Sequence, residues 1–165
     1  MKIAKLWGVC LMACMALNVN AQQSWTADNG NGTFTNPLFY DEFSDPDIIR
    51  VGEDYSMVST TMYFCPGAPI MHSRDLVHWE IVSYIYDVIE DDDIYNLRDG
   101  KNAYGKGQWA TTLRYNDGVF YALFVANDQH KTYLYRTEDI VNGPWVRNEI
   151  EGYFMHDASL LFDDD

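Results

Sequence analysis

The sequence contains little cysteine, with three residues at positions 10, 14 and 65. The first two lie in an N-terminal segment with the features of a secretory signal, so the mature chain retains Cys65 alone. One cysteine forms no internal disulfide, and packing must therefore hold the fold together. A lone cysteine of this kind is predicted to be a small core residue rather than a nucleophile.

The predicted signal covers residues 1–21. Lys2 and Lys5 precede an apolar run from Leu6 to Leu17, and a small-residue cleavage site ends at Ala21. The apolar run is too short to span a bilayer. No transmembrane segment is predicted.

A lipoprotein box is the alternative interpretation of this segment, with cleavage before Cys14 and lipid on its sulfur. It is disfavoured because it leaves an apolar region of about eight residues and ignores the site at Ala21. Both interpretations predict export to the periplasm, the cell surface or the medium. Residues 22–34 are predicted to be a linker, and residues 35–165 a folded domain.

Basic residues are scarce. Removal of the signal leaves 9 Lys+Arg against 25 Asp+Glu, a net charge of −16. Charge of this sign disfavours nucleic acid and anionic membranes as partners. A neutral or cationic ligand is easier to accommodate.

Several functional motifs are also missing. The chain has no Gly-rich phosphate loop and no Gly-x-Ser-x-Gly elbow, which argues against nucleotide and serine-hydrolase chemistry. The four histidines, at positions 72, 78, 130 and 156, form no i, i+4 pair, so no zinc site is predicted. The acidic run 90–93 lacks the spacing of a calcium loop and is interpreted as a solvated loop. The sequence therefore predicts neither a metal nor a cofactor.

Aromatic residues are abundant instead. They make up 15% of the chain, and Tyr with Trp outnumber Phe by 17 to 8. Both side chains combine a large apolar face with a polar group. They suit β-strands, and they also suit sugar rings, whose C–H faces stack on aromatic planes.

The chain contains a weak internal repeat. Residues 45–60, "DPDIIRVGEDYSMVST", align with 110–125, "ATTLRYNDGVFYALFV", at an offset of 65 residues. Residues 71–79, "MHSRDLVHW", align with 134–145, "LYRTEDIVNGPW", with their acidic turns 64 residues apart. A third unit opens at 156–165, "HDASLLFDDD".

Each unit predicts three or four short antiparallel strands, since no stretch of ten residues shows helical apolar periodicity. Four-stranded meanders of this length are typical of propeller blades. A β-sandwich, the alternative, does not predict a closing turn that recurs at a fixed offset. Residues 84–108 are predicted to be a loop inserted between blades. Because a propeller ring takes about four to eight blades, two blades and one strand indicate a fragment.

The alignment places Asp45, Ala110 and Asp157 at equivalent positions, each at the start of a first strand. Innermost propeller strands surround the central channel, so both carboxylates are expected at one mouth of it. Such a pair suits glycoside hydrolysis, which needs an acid for the leaving oxygen and a base for water. An ordinary turn aspartate is the alternative interpretation of each. Asp47 is predicted to face away from Asp45 and to serve the turn.

Four motifs in order resemble the opening blades of glycoside hydrolase family 43, the β-xylosidases and α-L-arabinofuranosidases. They are "NPLFYDEFSDPDIIRVGEDYSM" (36–57), "PGAPIMHSRDLVHWE" (66–80), "GKGQWATTLRYNDGVFYALF" (105–124) and "HDASLLFDDD" (156–165). The resemblance implies an all-β, five-bladed β-propeller and an inverting mechanism. It also implies a hemicellulose substrate such as xylan, arabinoxylan or arabinan.

Carried over position by position, the resemblance implies that Asp45 is the general base. Asp157 would orient the general acid and adjust its pKa, and the acid itself would be a glutamate of a later blade. Phe64 and Trp109 would lie near the sugar, with packing between blades as the alternative.

His156 lies beside the second of these aspartates and is predicted to contact substrate, whereas His78 is predicted to be structural. Three positions depart from the usual family residues, proline, proline and tyrosine, and bear on substrate preference: Ala158, Thr111 and Ser56. A non-catalytic carbohydrate-binding propeller, or an inactive remnant, is the alternative function.

Overall fold

Each of the first two repeat units folds into one four-stranded antiparallel sheet in a computed structural model that describes residues 25–163. In both sheets the strand order follows the chain order, as predicted for a meander. The predicted signal peptide lies outside the described residues. The first sheet contains β1 (Ser44–Val51), β2 (Asp54–Thr60), β3 (Gly67–Ser73) and β4 (Glu80–Tyr86). The second contains β5 (Thr112–Asn116), β6 (Val119–Ala126), β7 (Lys131–Thr137) and β8 (Val146–Ile150).

Two-residue turns join the first pair of strands in each sheet. Val51 pairs with Asp54 in the first hairpin, and Asn116 pairs with Val119 in the second. Tight hairpins need positive φ in the turn, which glycine adopts without a steric cost. Gly52 (φ 64°) and Gly118 (φ 84°) supply it.

One hydrophobic cluster contains buried residues of both sheets. The Phe124 ring of β6 stacks on Tyr135 of β7, with centroids 5.5 Å apart, and lies 5.7 Å from Tyr86 of β4. Buried aromatic pairs of this geometry stabilise a core beyond the area that they bury. The core therefore joins the two sheets into one packed unit.

The insertion predicted at 84–108 begins later, after β4 ends at Tyr86, and it contains one short 3-10 segment, Arg98–Gly100. It is a packed element, because Ile89 and Tyr95 are buried in the shared core. The Tyr95 hydroxyl also donates to Asp128 Oδ1 over 2.9 Å. The loop therefore helps to join the blades.

The prediction of a solvated acidic run is wrong for Glu90, whose side chain is 23% exposed. Glu90 Oε1 accepts a hydrogen bond from the Tyr133 hydroxyl (2.5 Å) and lies 3.3 Å from Lys131 Nζ and 3.4 Å from Arg147 Nη1. Burial opposes the charge of Glu90, but the Tyr133 hydroxyl and Arg147 outweigh it and lower its pKa. These partners are 41 or more residues away, which is why local composition did not reveal them.

The prediction that Cys65 belongs to the core is also wrong, because Cys65 is exposed on the loop between β2 and β3. The buried place beside it is taken by Gly67, where a Cβ would lie 2.2 Å from the Tyr86 hydroxyl. Only glycine allows that approach.

The described part of the predicted linker packs on the first sheet. Ala27 is buried, and Trp25 Nε1 donates to the carbonyl oxygen of Pro37 over 2.8 Å. Asp28 Oδ2 lies 3.4 Å from His78 Nε2 in the β3–β4 turn. Across residues 25–163, no helix has the length and apolar character needed to cross a bilayer.

Candidate active site

Hydrogen bonds join the entrances of the three repeat units. Asp47 Oδ2 of β1 accepts from Thr112 Oγ1 (3.0 Å) and from Leu113 N (2.9 Å) of β5. Arg114 Nη1 donates to the same oxygen over 2.6 Å, and Arg114 Nη2 donates to Ser159 Oγ over 2.6 Å. Three segments that are far apart in sequence therefore lie side by side.

These contacts test the repeat register. Asp47, Thr112 and Ser159 each lie two residues after the aligned positions 45, 110 and 157. Because residues at the second position are bonded to one another, the aligned positions lie at the same end of three neighbouring segments. The two aspartates therefore share one end of the blade interface.

The prediction that Asp47 serves its local turn is wrong. Its carboxylate crosses to the next blade and forms an ion pair with Arg114, which is one of few cations in an acidic chain. The side chain is 30% exposed, so its charge needs partners. An arginine on the first strand of the second unit was the sequence signal for this pairing.

Asp45 and Asp157 also share an unusual backbone conformation. Their φ angles are 46° and 50°, in the left-handed region that residues other than glycine rarely adopt. Ala110, at the same repeat position, is not among the residues with positive φ. In β1 the register shifts between Ser44 and Asp47, so Asp45 lies at a bulge that redirects its side chain.

The Asp45 carboxylate is exposed and held from one side. Its Oδ2 accepts a hydrogen bond from Thr60 Oγ1, at the end of β2, over 2.9 Å. The neighbouring Ser59 hydroxyl donates to the carbonyl oxygen of Ser44 over 2.7 Å, which fixes the backbone beside Asp45. An oriented carboxylate open to solvent can accept a proton from water.

The side chains of His156, Asp157 and Trp109 lie together. His156 Nε2 is 3.5 Å from Asp157 Oδ2, and its ring centroid is 5.8 Å from that of Trp109. The Asp157 side chain is 64% exposed. Trp109 is half-buried, and its Nε1 is buried without a hydrogen-bond partner among the described residues.

Phe64 is 62% exposed, so it is not a core aromatic residue. It lines a hollow of about 320 Å³ together with Ser44 and Thr60. Thr60 also donates to Asp45, so Phe64 and Asp45 flank the same part of the surface.

Gln108 links the residues around Asp45 to those around Trp109, and the sequence analysis did not identify it. Its side chain is fully buried; Oε1 accepts from Thr61 N over 2.7 Å, and Nε2 donates to the carbonyl oxygen of Trp109 over 3.1 Å and to Thr111 Oγ1 over 2.5 Å. The amide therefore connects the end of β2, beside Asp45, to the backbone of Trp109. An uncharged amide directly before the "WA" pair was the available signal.

Within the described residues, no group of three or more His, Cys, Asp or Glu side chains is arranged to hold a metal ion. The candidate site consists of two exposed carboxylates with aromatic and hydroxyl side chains around them. These groups can move protons and bind a polar ligand with apolar faces.

Comparisons with known proteins agree with this chemistry. The model of the family "Glycosyl hydrolases family 43" matches residues 34–165. A beta-xylosidase of Formosa agariphila is 32% identical over 145 residues, which cover 86% of this chain and 24% of that protein. A non-reducing end alpha-L-arabinofuranosidase of Bacteroides ovatus is 36% identical over 134 residues, covering 80% of this chain and 25% of that protein. The chain spans about a quarter of the length of the curated relatives it matches.

Two solved structures show the shared fold. A bifunctional GH43-CE protein of Bacteroides eggerthii is 47% identical with a TM-score of 0.67, covering 70% of this chain and 15% of that one. The GH43B protein of a Bacteroides ovatus xyloglucan locus is 33% identical with a TM-score of 0.66, covering 79% and 26%. The predictions of the family and of the propeller fold are confirmed. The chain belongs to glycosyl hydrolase family 43, and it forms two blades and the opening of a third in that family's five-bladed β-propeller.

Proposed function

We propose that this chain is part of a glycoside hydrolase that cleaves β-xylosyl or α-L-arabinofuranosyl linkages of hemicellulose with inversion. The names of the relatives support this range of substrates, since one is a xylosidase and the other an arabinofuranosidase. One structural observation carries the proposal. Two aspartates from different repeat units occupy one register, share a left-handed backbone and are open to solvent.

In the proposed reaction Asp45 is the general base. It takes a proton from water as the water oxygen bonds to the anomeric carbon, and the glycosidic bond breaks on the opposite side of the sugar. A glutamate outside residues 1–165 protonates the leaving oxygen. Inverting enzymes hold these two carboxyl groups roughly 6.5–9.5 Å apart, which leaves room for the water. The Thr60 hydroxyl keeps the base carboxylate oriented through this step.

Asp157 is the proposed partner of that acid. A nearby negative charge disfavours ionisation of a second carboxyl group, so Asp157 keeps the acid protonated at neutral pH. His156 and Trp109 would present their rings to the sugar beside it. Both contacts are proposals that rest on the arrangement around Asp157.

The test uses Asp45→Asn in the full product of the gene, assayed on an aryl xyloside and an aryl arabinofuranoside. Loss of general-base catalysis is expected to lower kcat by about 10²- to 10⁴-fold with little change in KM. Asp41→Asn, an exposed carboxylate of the preceding loop, is the matched control and should retain activity. Unchanged turnover in Asp45→Asn would remove this residue from the mechanism. Sugar binding without hydrolysis in the unmodified protein would favour the non-catalytic alternative.

Export is proposed as well, on the basis of residues 1–21. Sequencing the N-terminus of the protein recovered outside the cytoplasm is the direct measurement. A start at Gln22 supports the cleaved form, and a lipid-modified start at Cys14 supports the lipoprotein form.

A further inference from the structure

An exposed aromatic surface continues from Phe64 onto the loop between the blades. The ring of Tyr63 stacks on Phe64, with centroids 4.6 Å apart and planes 29° apart. On its other side Tyr63 contacts Tyr104, with centroids 5.1 Å apart and planes 43° apart. Tyr104 is 77% exposed and Phe64 is 62% exposed. We call these three rings the aromatic wall.

The wall separates two hollows. One of about 320 Å³ lies between the wall and the start of β1, and its polar lining includes Glu42, Ser44 and Thr60. The other, of about 500 Å³, lies on the side of Leu97 and Asn102. Since Thr60 lines the first hollow and also donates to Asp45, this hollow lies next to the proposed catalytic base.

The loop that carries Tyr104 is anchored at its base. The backbone groups of Met62 and Gln108 bond to each other in both directions, over 3.0 and 3.1 Å. A Cβ at Gly107 would lie 2.2 Å from the carbonyl oxygen of Met62, so only glycine fits there. Gly107 N also donates to Asp128 Oδ1 over 2.8 Å. The exposed ring of Tyr104 is therefore presented from a fixed backbone, which lowers the entropy cost of binding.

The chemistry of the lining selects the class of ligand. Neither hollow is lined by a lysine or an arginine, and Glu42 adds a negative charge to one of them. An anion is disfavoured here, and more so by the acidic charge of the whole chain. Flat aromatic faces beside hydroxyl and carboxylate acceptors suit a neutral ring that carries hydroxyl donors and apolar C–H faces. A sugar residue has these properties.

We propose that Tyr63, Phe64 and Tyr104 form a second sugar-binding position next to the one at Asp45. Tyr104 on the loop between the blades then favours oligosaccharides over single sugars. This inference rests on the proposed function, because the first sugar is placed at Asp45.

The experiment measures dissociation constants for xylose and xylotriose, and for arabinose and arabinotriose, by calorimetry on the full gene product carrying Asp45→Asn, so that the trisaccharides are not cleaved during the titration. Tyr104→Ala is expected to weaken trisaccharide binding about fivefold, through the lost aromatic contact, and to leave monosaccharide binding unchanged. Tyr104→Phe keeps the ring and should retain most of the affinity. Tyr115→Ala is the control, since this exposed tyrosine lies at the far end of β5 from Thr112.

Trp109→Ala separates this inference from the proposed function. If Trp109→Ala weakens the binding of all four sugars and Tyr104→Ala changes no dissociation constant, the aromatic wall is not a sugar site and the proposed function stands. If Tyr104→Ala weakens the trisaccharides while Asp45→Asn keeps full turnover, the wall stands and the proposed function fails. Absence of sugar binding in the unmodified protein overturns both. A lower Tm for Tyr104→Ala with unchanged sugar affinity assigns the wall to protein packing and also overturns the inference.

Discussion

The turns that close the two sheets form the same hydrogen bonds around an aspartate and differ in one partner. In the β3–β4 turn, Asp75 Oδ1 accepts from the backbone amides two and three residues later (2.9 and 2.8 Å), and Oδ2 lies 2.7 Å from His78 Nδ1. In the β7–β8 turn, Asp139 Oδ1 accepts from the corresponding amides (3.0 and 2.9 Å), and Oδ2 accepts from Asn142 Nδ2 over 2.9 Å. The two aspartates are 64 residues apart.

The difference between the turns is the charge of the partner. The hydrogen bond from His78 lowers the pKa of Asp75, and Asp75 in turn raises the pKa of His78. Asp139 has a lowered pKa through the backbone amide and side chain of Asn142, which does not titrate. The prediction that His78 is structural is confirmed by its place in this turn. Both closing turns therefore contain an aspartate with the same backbone hydrogen bonds, and its side-chain partner titrates in one turn and is neutral in the other.

The largest expected effect comes from breaking the link between the two blades at Gln108. Gln108→Ala leaves the half-buried Thr61 amide and the buried Thr111 hydroxyl without their partners, which is expected to lower the free energy of unfolding by about 3 kcal/mol. Urea denaturation measures it. Gln129→Ala is the matched control, because among residues 25–163 this half-buried side-chain amide has one hydrogen bond, from the Tyr133 hydroxyl, and its loss should cost about 1 kcal/mol. Equal losses would show that the bridge between the blades adds no stability.

A smaller effect is expected at Asp47, which bonds β1 to the second blade and has Thr112 at the equivalent position of β5. Asp47→Ala removes three hydrogen bonds from the second blade and leaves the half-buried Arg114 without its ion partner. Allowing for solvent screening, the expected loss is about 2 kcal/mol. The same denaturation experiment measures it, with Asp41→Ala in the exposed loop as the control. A loss no greater than that of the control would contradict the role assigned to Asp47.

The smallest effect is the pH dependence that distinguishes the two closing turns. A raised His78 pKa contributes stability that is complete below the ordinary histidine pKa of about 6.5, and this stability is lost as the pH rises through the folded value. Tm between pH 5 and pH 9 is therefore expected to fall less in His78→Asn than in the unmodified chain. Asn142→His should add a second decrease over the same range.

The fall in Tm at acidic pH should be the same in these variants. The lowered pKa of Asp75 and that of Asp139 give stability that is present above the ordinary aspartate pKa and is lost as the pH falls through the folded values. His130→Asn is the control for the fall in Tm that is attributed to His78, because His130 lies outside both turns. If His78→Asn retains the full decrease above pH 6, Asp28 and Asp75 do not stabilise the protonated imidazole.

The repeat register could be predicted from the sequence, and the environment of each residue could not. The alignment of Asp45 with Asp157 follows from the spacing of the repeats along the chain. The residues two positions after the aligned ones are then hydrogen-bonded to one another in the structure: Asp47, Thr112 and Ser159. Strand alternation alone would place Asp47, two residues after Asp45, on the same face, and the bulge at Asp45 is what separates the two side chains. Strand periodicity does not indicate which side chain pairs with Asp47, because Arg114 is 67 residues away in the sequence. Predictions that depended on such a neighbour were the ones that were wrong.

By itself, the amino-acid sequence determined the strand periodicity, the glycine turns, the closing aspartates and the family, since each depends on residues close together or on motif order. Only the tertiary structure decided that Glu90 is half-buried beside Lys131 and Arg147, that Cys65 is exposed and that Gln108 joins two blades. The physical reason is that burial and pairing depend on packing between distant segments. The free energy of a charge or an amide is set by the partners that the folded chain brings to it.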